Sequence, residues 1–128
     1  MKFFTIIFLF VLLLFASCLN TKIYEAKALI VSRSFDTSLQ DSAMIYGYVR
    51  SAAYEEILPY NMIVLIQETK TTTECDSLGN FSLKLLSGTY TVMCFNPSVT
   101  DDTLKLENLK ILPNEKVEIK FLMREEEW

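Results

Sequence analysis

The sequence predicts an all-β fold, an antiparallel sandwich of about seven strands preceded by a signal peptide. Three observations predict it. Beyond residue 42, apolar side chains recur at every second position, as on a strand with one face in a core. Turn residues punctuate that stretch about every 8 to 12 positions. Past the leader, nothing holds a convincing 3.6-residue period over three turns, although 23–31 fits strand or helix equally. A body of this size fills one thin core between two sheets stacked ~10 Å apart.

The first 17 residues read as an address. Lys2 supplies a positive end, Phe3 to Phe15 is apolar except for Thr5, and Ala16 and Ser17 are small. The apolar run is 13 residues long, whereas a bilayer span takes about 20. Phe15-Ala16-Ser17-Cys18 resembles the lipobox of bacterial lipoproteins, with Phe15 standing where Leu is usual. That resemblance implies lipidation of Cys18, since two or more acyl chains hold a soluble domain to a bilayer where one holds it only marginally. An ordinary secretory signal cut near Ala16, or an uncleaved anchor helix, are the alternatives. Leu19 behind the cysteine, rather than an aspartate-type retention signal, favours the outer membrane, facing the periplasm.

Residues 18–42 read as a tether holding one short strand around Ala28-Leu29-Ile30-Val31, or a short helix, with a polar linker from Phe35 to Ser42. The sandwich then spans 43–123. Ile45, Gly47 and Val49 alternate with Tyr46, Tyr48 and Arg50; Met62 to Ile66 is a short continuous apolar run; Thr69 to Thr73 is β-branched. Asp76-Ser77-Leu78-Gly79 reads as a turn, because Asp bonds the backbone two residues on and Gly tolerates positive φ. Phe81, Leu83 and Leu85 form the next strand, Ser87-Gly88 a tight turn, and Tyr90, Val92 and Cys94 another strand, ended by Asn96-Pro97. The pairs Leu104/Leu106 and Leu109/Ile111 are out of step across Glu107-Asn108, which predicts a bulge. Pro113-Asn114 turns the chain into Val117, Ile119, Phe121 and Met123, and 124–128 is a charged tail.

This order of landmarks resembles the carboxypeptidase regulatory-like domains, found in secreted and envelope proteins of Bacteroidetes-type bacteria. The resemblance runs over 43–123. It is carried by Ile45-Tyr46-Gly47-Tyr48-Val49, by Pro59 before Met62-Ile63-Val64, and by the threonine-rich segment into Asp76-x-x-Gly79-x-Phe81. Leu85, Gly88 and Tyr90 look like the next hairpin, and Leu109-Lys110-Ile111 with Val117-Glu118-Ile119 like the closing pair. The family's glycine after the proline is absent near Tyr60-Asn61, and Cys75 replaces a usual threonine or serine. The resemblance implies an immunoglobulin-like/transthyretin-like sandwich and a non-catalytic module that packs against, presents or binds something else.

Composition narrows the chemistry. The chain has 128 residues and a net charge of −4; the mature count is 11 − 16 = −5, because the leader holds only the cation Lys2. No basic stripe appears anywhere, nor any Lys/Arg cluster, so neither nucleic acid nor anionic headgroups are expected partners. Histidine is absent, which removes Ser-His-Asp and Cys-His catalysis and most zinc sites. No phosphate loop, dinucleotide fingerprint or Gly-x-Ser-x-Gly occurs. The acid groups Glu55-Glu56, Asp101-Asp102 and Glu125 to Glu127 read as solvated surface rather than a carboxylate pair or calcium site. No catalytic residue, metal or cofactor is therefore expected.

Two other sets stand out. Cys75 and Cys94 are candidates for a disulfide in an exported compartment, against the reading of two buried free thiols. Tyr46, Tyr48, Tyr54 and Tyr60 are a candidate binding surface, against the reading of aromatics that merely cover a sheet. The expected function is a non-catalytic envelope lipoprotein, held to the membrane by its lipid, whose sandwich is a structural or protein-interaction module. The alternative is a glycan-binding accessory lipoprotein that uses the tyrosines.

Overall fold

A computed structural model describes residues 25–124 of the chain. The leader, Cys18 and the tail 125–128 lie outside the described residues. Among the described residues there are eight strands: β1 (Lys27–Phe35), β2 (Ser42–Ser51), β3 (Ile63–Ile66), β4 (Thr71–Glu74), β5 (Asn80–Leu86), β6 (Gly88–Asn96), β7 (Val99–Ile111) and β8 (Glu115–Met123). They form two four-stranded sheets, ordered β1-β8-β2-β5 and β4-β3-β6-β7. Every pairing is antiparallel except β2 with β8, which run parallel.

The alternation seen in the sequence is what builds the core. Ala43, Ile45 and Val49 of β2, Val117, Ile119 and Phe121 of β8, and Val92 and Cys94 of β6 are all buried, and their neighbours along each strand are more exposed, except at the end of β8, where Leu122 is buried as well. Phe81 and Phe121 meet at 5.8 Å between ring centroids in the middle of the first sheet. Burying each such side chain stabilises the fold by about 2–3 kcal/mol. Gly47 sits between Phe81 and Ile119 on the two flanking strands. A Cβ there would fall 1.7 Å from the Ile119 carbonyl oxygen, at a φ of 152°. Only glycine lets β2 and β8 close up at this point.

Several local expectations are met. Asp76 accepts the Leu78 and Asn80 amides, each at 2.9 Å, and Gly79 has a φ of 78°. On β7 the register against β6 slips between Leu106 and Leu109, with Asn108 left-handed at φ 56°, where the bulge was expected.

Other expectations are corrected. The sheet begins at Lys27, not Ala43: the supposed tether contributes a nine-residue strand paired with β8 along its length, broken by one bulge at Val31. The polar stretch after it is no free linker. Asp36 caps a short 3-10 turn (Thr37–Leu39), and Asn114 stitches that turn to the β7–β8 connection. The Asn114 carbonyl accepts the Asp36 amide at 2.8 Å, its side chain accepts the Asp41 amide at 2.8 Å, and its own amide reaches the Ser42 carbonyl at 2.7 Å. Ser87-Gly88 does not close a hairpin, because β5 and β6 lie in different sheets and the single residue Ser87 carries the chain across. The Tyr90 hydroxyl donates to the Leu86 carbonyl at 2.8 Å and pins that corner. The Leu109–Ile111 and Val117–Ile119 segments are likewise not partners; β8 pairs with β1 and β2 instead.

Candidate functional site

The outer face of the β1-β8-β2-β5 sheet gathers most of the unusual chemistry. Register alone gives its rows: Lys84, Met44 and Lys116; then Ser82, Tyr46 and Glu118; then Asn80, Tyr48, Lys120 and Leu29; then Arg50, Leu122 and Lys27. Tyr46 and Tyr48 point outward, as their alternation requires, and are half-buried. Cations lie over their rings. Lys116 Nζ is 5.3 Å from the Tyr46 centroid, while Arg50 and Lys120 stand 5.0 Å and 5.8 Å from that of Tyr48. Such contacts contribute about 0.5–1 kcal/mol each at exposed sites.

The Lys120 ammonium is fixed by the loop after β2. Ser51 is buried, and its hydroxyl accepts the Tyr54 and Glu56 amides at 3.3 and 3.2 Å, curling 52–56 back on itself. Glu55 takes a left-handed φ of 55° in that curl and meets Lys120 at 2.5 Å. The hydrogen bond that Lys120 donates to Glu55 raises the Lys120 pKa above its ordinary value. Arg50 is held in the same way from the other side, donating to the Val49 and Leu78 carbonyls at 2.9 and 2.6 Å.

Tyr46 and Tyr48 share the outer face; Tyr54 is exposed on the loop beside Glu55; Tyr60 is partly buried against the hydrophobic core.

Cys75 and Cys94 are both free and buried. Cys75 follows β4 and donates its amide to Met62, whereas Cys94 faces Val64 across the β3–β6 pairing, so β3 runs between them. Strands two apart are separated by ~10 Å, beyond the ~7 Å over which Cα atoms can be bridged. Burial pushes the Cys75 thiol up to about 11, with Asp76 adding to it. Burial, and then the neighbouring Cys75, raise Cys94 well above its ordinary value. Both behave as small hydrophobes.

No family model, curated protein or solved structure matches this chain.

Two features were not anticipated. The first is an ion pair built into the sandwich edge. Arg33 of β1 reaches Glu115 at 3.0 Å and also donates to the Lys110 carbonyl at 3.0 Å, while Glu115 accepts the Leu112 amide at 3.1 Å. Glu115 has only 5% of its side chain exposed, against 39% for Arg33. The second is the apolar character of β1 itself. Leu29, Ile30, Val31 and Phe35 are all exposed, Phe35 by 65%, on a strand with a partner on one side only. The run Ala28 to Val31 was the available signal for the strand, but nothing in it says that its free side faces solvent.

Of the acid groups, Glu125 to Glu127 lie outside the described residues. Glu55 is spent on Lys120, Glu56 is exposed in the same loop, and Asp101 and Asp102 fall within β7. Among the described residues no group of three or more His, Cys, Asp or Glu could hold a metal ion. Nor, among them, is any helix long and apolar enough to cross a membrane.

Proposed function

We propose that the chain is a non-catalytic envelope lipoprotein, anchored through Cys18, whose sandwich is an interaction module that pairs with an extended strand of another envelope protein. The observation that carries this reading is β1, a nine-residue edge strand with Leu29, Ile30, Val31 and Phe35 exposed. A long apolar edge presents unpaired amides and carbonyls in register, which templates strand addition. Monomeric proteins usually blunt such an edge with charge, proline or a covering loop; here β1 carries the bulge at Val31 and the cations Lys27 and Arg33, and its apolar centre Leu29–Val31 holds no charge. Arg33 is turned back toward Glu115.

We read the sandwich as of the immunoglobulin-like/transthyretin-like type and the chain as a carboxypeptidase regulatory-like domain. The two-sheet architecture and the Asp76–Gly79 turn leading into Phe81 support that reading. The resemblance's two further hairpins fall across sheets instead. Glycan stacking on Tyr46 and Tyr48 has less support, since Lys116, Arg50 and Lys120 already lie over those rings.

A photo-crosslinking residue at Val31, in the chain expressed in an exporting host with its native envelope, tests the function. One discrete crosslinked protein is expected, and it should vanish when Ile30→Pro removes an edge amide. A Val31 probe that captures nothing, or crosslinks unchanged by Ile30→Pro, would remove strand addition. Labelled-palmitate incorporation that persists in Cys18→Ala would remove the anchor.

A further inference from the structure

The chain is acidic overall, yet the outer face of the first sheet is not. Lys27, Arg50, Lys84, Lys116 and Lys120 all project from it, opposed by Glu118 on the face, by the loop residue Glu55 at Lys120 and by Asp36 near Lys116. Five cations less three acids leave a surplus of two on this face, within a chain of net charge −4. The cations are interleaved with Tyr46, Tyr48, Met44 and the exposed Leu29. Amphipathic aromatics among lysines are the composition that seats a surface at the boundary between headgroups and water. The loop after β2 reaches over one end of the face, where Leu122 is buried and Lys120 is bonded to Glu55, while Ser82 and Lys84 are exposed and Met44, Tyr46 and Lys116 half-buried toward the other end.

Position selects the occupant. β1 enters the sheet at Lys27, in the row of Arg50 and Leu122, so the segment leading from Cys18 joins at an end row of this face that holds two cations. The seven residue steps from Cys18 to Glu25 reach at most about 25 Å. Electrostatic attraction to a charged bilayer is felt only within a Debye length, ~8 Å at physiological salt, so a leash this short is what brings the face into range.

We propose that the outer face of the β1-β8-β2-β5 sheet lies against the anionic headgroups of the bilayer to which the chain is tethered, through Lys84, Lys116, Lys120 and Arg50 with Tyr46 and Tyr48 between them. The proposal rests on the anchored-lipoprotein reading for its proximity to lipid, and on the charged face for its orientation. The sandwich then lies flat, with the β4-β3-β6-β7 sheet turned away from the membrane.

The test uses the full chain, mixed with phosphatidylcholine vesicles alone or with vesicles containing phosphatidylglycerol, floated, and its lysines acetylated and mapped by mass spectrometry. Phosphatidylglycerol should lower labelling of Lys84, Lys116 and Lys120 by about threefold or more, and high salt should reverse the change. Lys105 and Lys110, outward on the other sheet, should label equally in both. Lys84→Glu/Lys116→Glu, checked for an unchanged circular-dichroism spectrum, should label alike in both vesicle types at Lys120. Flotation on neutral vesicles reads the anchor separately: a chain that floats only with phosphatidylglycerol, with the footprint intact, loses the anchor and keeps the face. Equal labelling of the three lysines on both vesicles, or protection shared by Lys105 and Lys110, overturns the proposal whatever the flotation.

Discussion

Gly47 is the residue at which the smallest change should do the most damage. Its Cβ would overlap a backbone oxygen of β8, which cannot rotate aside as a side chain can. Gly47→Ala should cost about 3 kcal/mol or more in urea unfolding, because the two strands must part or the register slip. The Arg33–Glu115 pair is a milder case. Arg33→Ala leaves a buried carboxylate with only the Leu112 amide, but Arg33 is itself 39% exposed and its charge partly screened. A loss of about 1–2 kcal/mol is expected, below that for a fully buried pair. The thiols give a pH signature. Unfolded, Cys75 ionises near its ordinary 9.0; folded, burial holds the proton until about 11. Between those values the unfolded chain binds fewer protons than the folded one, so stability falls as pH rises, and below the lower value the thiol contributes nothing. Thermal melts should show an extra loss of about 1–3 kcal/mol by the upper end of that window. Cys75→Ala/Cys94→Ala should lack that loss. Native protein at pH 7.5 should likewise resist alkylation.

At the level of elements, β1 is the strand whose removal is most informative. It covers one side of β8, and β8 carries Val117, Ile119 and Phe121 into the core. Deleting 25–35 should leave β8 as a raw edge and also cut the Asp36–Asn114 bond that ties the β1–β2 connection to the next turn. Lowered thermal stability and concentration-dependent aggregation by light scattering are the expected results. Survival of the shortened protein as a stable monomer would return 18–42 to the status of a tether. The loop after β2 has a separate role: Ser51 folds it so that Glu55 reaches Lys120, joining a buried hydroxyl to the charge distribution on the sheet's outer face.

For the molecule as a whole, one core lies between both sheets, and Cys75 and Cys94 belong to that core along with Ile45 and Phe121. Unfolding should therefore be a single event, with far-UV circular dichroism and thiol exposure sharing one urea midpoint. Separate midpoints would mean that the sheets come apart independently. The same two-layer arrangement separates chemistry by face: apolar and thiol groups inside, cations and tyrosines outside one sheet, and an apolar edge at β1.

The linear order of residues was enough to determine an all-β chain, the inward and outward parity of β2, β5, β6 and β8, the Asp76–Gly79 turn and the bulge at Asn108. Each of these is a local rule: the period of a strand, the φ that glycine or asparagine tolerates, a carboxylate bonding amides two and four residues on. Parity also placed Tyr46, Tyr48 and Arg50 on one side. What it could not supply was which strand lies next to which, because hydrogen-bonded neighbours can be as distant as β1 and β8, and backbone pairing carries no side-chain code. Only the tertiary structure put Lys116 and Lys120 beside those tyrosines by running β8 parallel to β2, kept β3 between the two thiols, drew 27–35 into the sheet, and left that strand's apolar side unpaired. Charge counted along the chain is net negative, whereas charge counted on one face is net positive, since electrostatic attraction depends on distance in space rather than in sequence.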